Sequence, residues 1–326
     1  MRRLLAGLDI GGTKCAVVLG EEDDKQNIEV IAREEFPTLE SPEETIDRMG
    51  QILSDLLKNH QANLQSIGIS CGGPLDSEKG LIMSPPNLPH WDNIDIVTPY
   101  EEQFQVPVAI QNDANACALA EWKWGAGVGH KNVIFLTFGT GMGAGLILNE
   151  SLYAGTNDMA GEVGHIRLED DGPVGFGKAG SFEGFCSGGG ITRYSQEIVK
   201  QHLLSGTQET KICSSIDQLE QITAKSVAEA AQQGDELALE IFTTVGQKLG
   251  EGLAVLIDTL NPEKIIIGSI YLRQEVLLRP MMKEVLKNEA LERSLNVCSI
   301  VPSGLGEAVG DLASLSVATY ALDHVT

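Results

Sequence analysis

The sequence predicts an α/β protein built from two similar halves, each around a mixed sheet. Three observations predict it. A strand, a tight Gly/Thr turn and a second strand occur twice, within LLAGLDIGGTKCAVVLG (4–20) and within VIFLTFGTGMGAGLILN (133–149). With Gly11 set on Gly139, Thr13 falls on Gly141 and the flanking apolar runs coincide. The first copy opens a β–β–β–α–β series, and a chain of 326 residues is long enough for two domains with their own cores.

The elements follow in order. After the first hairpin, the acidic run Glu21-Glu22-Asp23-Asp24 reads as a solvated tip, and IEVIAREEF as a third strand. Ser41-Pro42-Glu43-Glu44 is a helix start, with Ser at the N-cap, Pro at the first helical position and acids in the first turn. Ile46, Met49, Ile52, Leu53, Leu56 and Leu57 then line one helical face. Strand 66–70 ends in the sharp Gly72-Gly73-Pro74 loop, Pro85 to Pro89 is irregular, and VPVAIQND (106–113) is a short buried strand. An alanine-rich helix runs from Asp113 through Trp124. After the second hairpin, the glycine-rich stretch 154–190 is a long shaped loop, a feature more often functional than idle inside a compact domain. Helices are expected over 191–203, 215–221, 225–233, 236–259, 274–290 and 306–322, and strands over 264–268 and 296–301. The boundary falls near residue 112. A small lobe of residues 1–112 is joined by a returning C-terminal helix (306–326), and a large lobe covers 113–305.

The residues after each glycine turn narrow the chemistry. In dinucleotide-binding and Walker loops the glycines lead into a helix. Here Lys14 leads into Cys15-Ala16-Val17-Val18-Leu19, and Gly145 into Leu146-Ile147-Leu148, so both turns sit on hairpins. One such hairpin is ordinary. Two of them can press backbone N–H groups on a polyphosphate from both sides, as an ATP-using phosphotransferase requires. Asp9, just before the first turn, would repel phosphate unless Mg²⁺ or its water shell lies between them. Lys14 offers a point charge or is a solvated strand lysine. Asp113, between Asn112 and Asn115 at the end of a strand, is either a general base for an acceptor hydroxyl or a helix cap. Glu162, His165 and Glu183 offer donors and acceptors from one loop, which a polyol needs at fixed geometry; Asn87 and Trp91 offer an amide and an apolar plate, although a lone Trp is more often a core residue.

Composition excludes other classes. A net charge of −23 opposes non-specific nucleic-acid binding, which needs basic surface. No apolar run approaches a membrane span, and the start MRRLLAGLDI has no cleavage site. The six cysteines are scattered without a C-x-x-C pair and read as free thiols of a reducing cytoplasm.

The set DIGGTK (9–14), GGPLD (72–76), QNDANA (111–116), FGTGMGAGLI (138–147) and GEVGH (161–165) resembles the ROK group of sugar kinases and repressors, in order over most of the chain. The resemblance implies an α/β fold of two ribonuclease-H-like lobes, as in actin and hexokinase, around an ATP/sugar cleft. It implies Asp113 as the catalytic base, with Gly11, Gly12, Thr13, Lys14, Gly139, Thr140 and Gly141 at the ATP phosphates. Asp9 would lie near Mg²⁺, and Gly268 by the base or ribose. It places Gly73, Asn87, Asn112, Asp113, Glu162, His165 and Glu183 at the sugar. It also implies a homodimer or tetramer. The expected activity is ATP-dependent phosphorylation of a hexose, glucose-like at the 6-hydroxyl. The alternatives are an N-acetylhexosamine, fructose, mannose, allose or glucoside kinase, a DNA-binding repressor, or a non-catalytic sugar sensor. The start of the first strand near residue 4 leaves no room for a preceding DNA-binding domain, and the charge argues against DNA.

One stretch departs from the pattern. The family's zinc loop, C-x-C-G-x-x-G-C-x-E, reads V-G-F-G-K-A-G-S-F-E here (174–183). Val174, Phe176 and Ser181 stand where three thiolates would be, and structural zinc needs four protein ligands. The sequence therefore predicts no structural zinc, with the loop anchored by burial of Val174, Phe176 and Phe182.

Overall fold

A computed structural model describes residues 2–60, 63–206 and 209–323. The elements of the first stretch are β1 (Arg3–Ile10), β2 (Lys14–Glu22), β3 (Ile28–Pro37), α1 (Pro42–Lys58), β4 (Leu64–Cys71), β5 (Leu75–Asp76), β6 (Leu81–Met83), β7 (Asp92–Asp95), α2 (Thr98–Phe104), β8 (Val108–Asn112) and α3 (Asp113–Trp124). Then come β9 (Val133–Leu136), β10 (Ala144–Leu148), β11 (Ser151–Leu152), β12 (Val174–Gly175), β13 (Lys178–Ala179), α4 (Phe182–Phe185), α5 (Gly188–Ser205), α6 (Ala224–Gln232) and α7 (Glu236–Leu260). The chain closes with β14 (Lys264–Ile267), α8 (Ile270–Glu289), α9 (Glu292–Leu295), β15 (Ser299–Pro302) and α10 (Val309–Asp323). The two large sheets run β3-β2-β1-β4-β8 and β11-β10-β9-β14-β15. Among the described residues no helix is long and apolar enough to cross a membrane.

The chain forms two compact units, one of Met1–Phe135, Gly145–Ala160 and Gly304–Thr326 and one of Leu136–Ala144 and Gly161–Ser303. Where the sequence reading draws a line near residue 112, the first unit carries on through α3, because α3 packs on α10. Met1 and 324–326 of that reading lie outside the described residues.

In the first unit β1 is antiparallel to β2, as β2 is to β3, and parallel to β4, which is parallel to β8. Side chains alternate across a strand. Leu4, Ala6, Leu8 and Ile10 therefore join Ile46, Met49, Ile52 and Leu53 of α1 in one core, while Leu5 meets Leu315 and Ala318 of α10 on the other face. Ser41 caps α1 as its sequence implies, accepting the Glu44 N–H at 3.3 Å. The sheet and α10 meet too closely for side chains between them: a Cβ on Gly7 would lie 2.2 Å from the Ser314 side-chain Oγ, and one on Gly68 2.1 Å from the Ala318 backbone nitrogen. Glu22 is not solvated as expected; it is buried and paired with Arg3. Unforeseen by the sequence reading are the small sheet β5-β6-β7 and helix α2.

In the second unit β14 and β15 run parallel, and α7 packs on α8. Gly252 of α7 makes room for Phe182, whose ring carbons lie 2.5 Å from where a Cβ would stand. Stretch 161–190 holds a one-turn 3-10 helix (Val163–His165), the β12–β13 hairpin and α4; α5 begins at Gly188 rather than 191. Residues 215–221 form a 3-10 turn, Ile216–Gln221, rather than an α-helix.

Candidate active site

The first unit gathers its polar candidates along one sheet edge. The pairings Ile10–Cys71 and Cys71–Asn112 put the ends of β1, β4 and β8 in one row. The next residues, Gly11, Gly72 and Asp113, therefore leave the sheet together at the carboxyl ends of parallel strands, where open α/β sheets bind ligands. Asp9 sits one position inside this row, opposite Ser70.

The first turn is tight. Gly11 N–H donates to the Lys14 carbonyl at 3.1 Å. Thr38 braces it, its hydroxyl donating to Gly11 O at 2.6 Å and its N–H to Thr13 O at 3.1 Å. Gly12 has no room for a side chain, because a Cβ would lie 2.4 Å from the Asn87 carbonyl oxygen. The turn thereby brings Asn87 to Gly12, with Gly12, Thr13 and Lys14 exposed. Lys14 Nζ reaches Glu35 at 3.1 Å, and Arg33 pairs with the same carboxylate at 2.8 Å. Trp91 is not a sugar plate: it is 1% exposed, within the hydrophobic core.

At the start of α3 the two candidate capping residues separate. Asn112 Oδ1 accepts the Asn115 N–H at 2.8 Å and caps the helix. Asp113 is the first helical residue; one carboxylate oxygen accepts the Ala114 N–H at 2.8 Å. Its side chain reaches solvent, but protein surrounds the rest, and this loss of hydration pushes its pKa up. Burial and then the Asp113 and Asp311 charges raise Asp9 to about 6, against smaller pulls from Lys14 and Arg33. Such a surplus of negative charge fits Mg²⁺, which keeps several waters and needs only one or two carboxylates. Gly73 lies nearby, its Cβ direction 4.0 Å from Asn112 Cβ.

The second unit carries the second turn. Thr137 closes it, its N–H donating to Gly143 O and its hydroxyl accepting the Gly143 N–H, both at 3.0 Å. The Gly139 carbonyl accepts the Gly188 N–H at 2.7 Å, which sets the turn against the first residues of α5. Beside it opens a cavity of about 470 Å³, lined by Thr140, Gly189, Arg193, Lys225, Ser269 and Arg273 among others. Gly268, which donates to Leu136 O at 3.0 Å, immediately precedes Ser269. The three basic side chains and Thr38 were missed from sequence because no motif marks them.

Glu183 lies on this turn too. Its Oε2 accepts the Met142 N–H at 3.1 Å and would stand 2.9 Å from a Cβ on Gly141. Gly161 (φ +91°) abuts Ala144 O at 1.9 Å from its Cβ position, and Gly164 lies 3.1 Å from Glu183 Cβ on the same measure. The short Val163–His165 turn, with Glu162 at its start, is thus pressed against the second hairpin.

The altered zinc loop is not anchored as predicted. Val174, on the short strand β12, is 45% exposed and Phe176, at the tip of the two-residue-strand hairpin, is 70% exposed; Phe182 alone of the three is buried. The anchors are Phe182, the Ser181 hydroxyl capping α4 through the Gly184 N–H at 3.1 Å, and the Arg167–Ser181 bridge. Valine and phenylalanine carry no ligand atoms, so these positions do not fit zinc. Among the described residues no group of three His, Cys, Asp or Glu is placed to hold a metal ion.

The ROK family profile matches residues 5–318. The glucokinase of Halalkalibacterium halodurans is 32% identical over 94% of this chain and 92% of its own. The Escherichia coli DNA-binding transcriptional dual regulator NagC is 27% identical over 94% of this chain and 74% of its own. The ROK family glucokinase of Streptomyces griseus, solved with glucose and AMPPNP, superposes with a TM-score of 0.73 at 27% identity, covering 97% of this chain and 99% of that one. With its mixed α/β, hexokinase-like fold, the chain belongs to the ROK family.

Proposed function

We propose that this chain is an ATP-dependent cytoplasmic kinase that phosphorylates a hexose, glucose-like at the 6-hydroxyl. The observation that carries this reading is the strand-end row that sets the Gly11–Lys14 turn and Asp113 on one sheet edge. Asp113 takes the proton of the attacking hydroxyl, and its raised pKa makes it a better base than an ordinary carboxylate. The Gly11–Lys14 and Gly139–Gly141 turns bind the ATP phosphates. Arg193, Lys225 and Arg273 bring positive charge to the nucleotide, with Gly268 beside its base or ribose. Asp9 would hold Mg²⁺ through water, and the ion would supply charge neutralisation at the phosphates. Gly73, Asn87, Asn112, Glu162, His165 and Glu183 orient the sugar hydroxyls and so make the reaction effectively unimolecular. The glucokinase relatives support glucose. The other candidate sugars use the same hydroxyl-binding residue types.

A coupled ADP-release assay across glucose, fructose, mannose, allose, a glucoside and N-acetylhexosamines tests the reading. Sugar-dependent ADP release, largest with glucose, is expected. Sugar binding without ADP release with any of them would overturn the kinase and favour a sugar sensor, a role in keeping with the NagC relative.

A further inference from the structure

His165 is exposed at the end of a single helical turn, so its own backbone does little to fix its ring. Yet the β12–β13 hairpin grips this residue twice. Lys178 Nζ donates to the His165 carbonyl at 2.5 Å, and the Phe176 ring meets the imidazole edge to face, with centroids 5.3 Å apart and planes at 83°.

Phe176 is doubly unfavourable where it stands. Its ring is 70% exposed, and its φ of +42° is one that bulky residues rarely adopt and that surrounding structure must hold. Glycines on both sides permit that turn. Gly177 has φ +76°, and Gly175 packs so closely that a Cβ would lie 2.5 Å from the Gly184 nitrogen of α4. The same hairpin runs on through Ser181 to Glu183, which touches the second glycine turn. The tip that presents Phe176 to His165 is therefore braced against the segment that carries Glu183.

We propose that Phe176, with Lys178 holding the backbone behind it, is a positioning residue that orients the His165 imidazole toward the sugar. The proposal rests on the kinase reading for its substrate. A histidine that exchanges hydrogen bonds with hydroxyls works only with its ring plane and tautomer set. An edge-to-face aromatic contact sets the plane without claiming either ring nitrogen, so both stay open to substrate or water.

The test compares Phe176→Ala, Phe176→Tyr and Lys178→Met in the full-length protein. For Phe176→Ala the expected result is a rise of roughly threefold to tenfold in sugar KM and in sugar Kd measured without ATP, the worth of one aromatic pair. The KM for ATP and the Tm should hold. The His165 ring-proton resonances in the ¹³C-labelled protein should move. Phe176→Tyr should restore the sugar KM and the resonances, and Lys178→Met should also raise the sugar KM. In a His165→Ala background, Phe176→Ala should change nothing further. Unchanged His165 resonances and sugar Kd in Phe176→Ala would overturn the proposal, as would a lowered Tm with sugar affinity intact. The resonances are read without turnover, so they decide the point even if no sugar is phosphorylated.

Discussion

Asp9 and Asp113 stand at the ends of β1 and β8 with β4 between them, and after burial the Asp113 charge is the largest influence raising Asp9 to about 6. Each acid therefore reports on the other. Replacing Asp113 by Asn should slow phosphorylation by roughly two to four decades, the usual scale for a lost general base. It should also let the Asp9 pKa fall, because the repelling charge is gone. Steady-state rates and a ¹³C carboxyl titration check the two halves separately.

Asp9 makes stability depend on pH. Its folded pKa of about 6 lies above the ordinary 3.8, so the folded protein keeps a proton that the unfolded chain has lost. Stability should fall as pH rises between about 4 and 6, and the full penalty should persist above that window. Asp9→Asn should therefore stabilise the protein near neutral pH by about 3 kcal/mol, with the gain gone below about pH 4. Urea unfolding at both pH values measures this. Activity should fall in the same variant.

Thr38 holds the first turn from outside it. Thr38→Val removes the hydroxyl bond to Gly11 O and should destabilise the fold by about 1 kcal/mol. The larger consequence should be a raised KM for ATP with the sugar KM unchanged. Equal rises in both would show that Thr38 supports the unit generally.

Gly161 cannot carry a side chain, since its φ is +91° and a Cβ would sit 1.9 Å from Ala144 O. Gly161→Ala should cost about 2–4 kcal/mol through backbone strain and displacement of the Glu162–His165 turn. The urea midpoint should drop, and sugar binding should weaken more than nucleotide binding.

The loop at 174–183 should behave as a metal-free hairpin. Metal analysis of tag-free protein should find well below one zinc per chain, and prolonged chelation should leave the Tm unchanged. Ser181→Ala should cost about 0.5–2 kcal/mol, because it removes the α4 cap. One zinc per chain would overturn this account.

Much of this arrangement was legible in the residues. The apolar runs after Lys14 and Gly145 identified hairpins, and Ser41-Pro42 marked the start of α1, because local chemistry decides both. The choice between Asn112 and Asp113 as the cap was not legible, since either side chain can reach the N–H groups of the first turn. Phe176 was misjudged because whether an aromatic ring is buried depends on neighbours far off in sequence; Trp91 is core, as a lone Trp more often is. The strands β5 to β7 escaped because two to four residues show no period. Arg193, Lys225 and Arg273 come from separate helices or their starts and converge only in three dimensions.

The flush seating of Gly7 and Gly68 on α10 carries a consequence for biosynthesis. The opening strand leaves the ribosome roughly 300 residues before the helix that covers one of its faces, which is about 15–60 s at ordinary elongation rates. Throughout that interval Leu5 and its neighbours have no lid, so the nascent polypeptide is a natural client for holding chaperones.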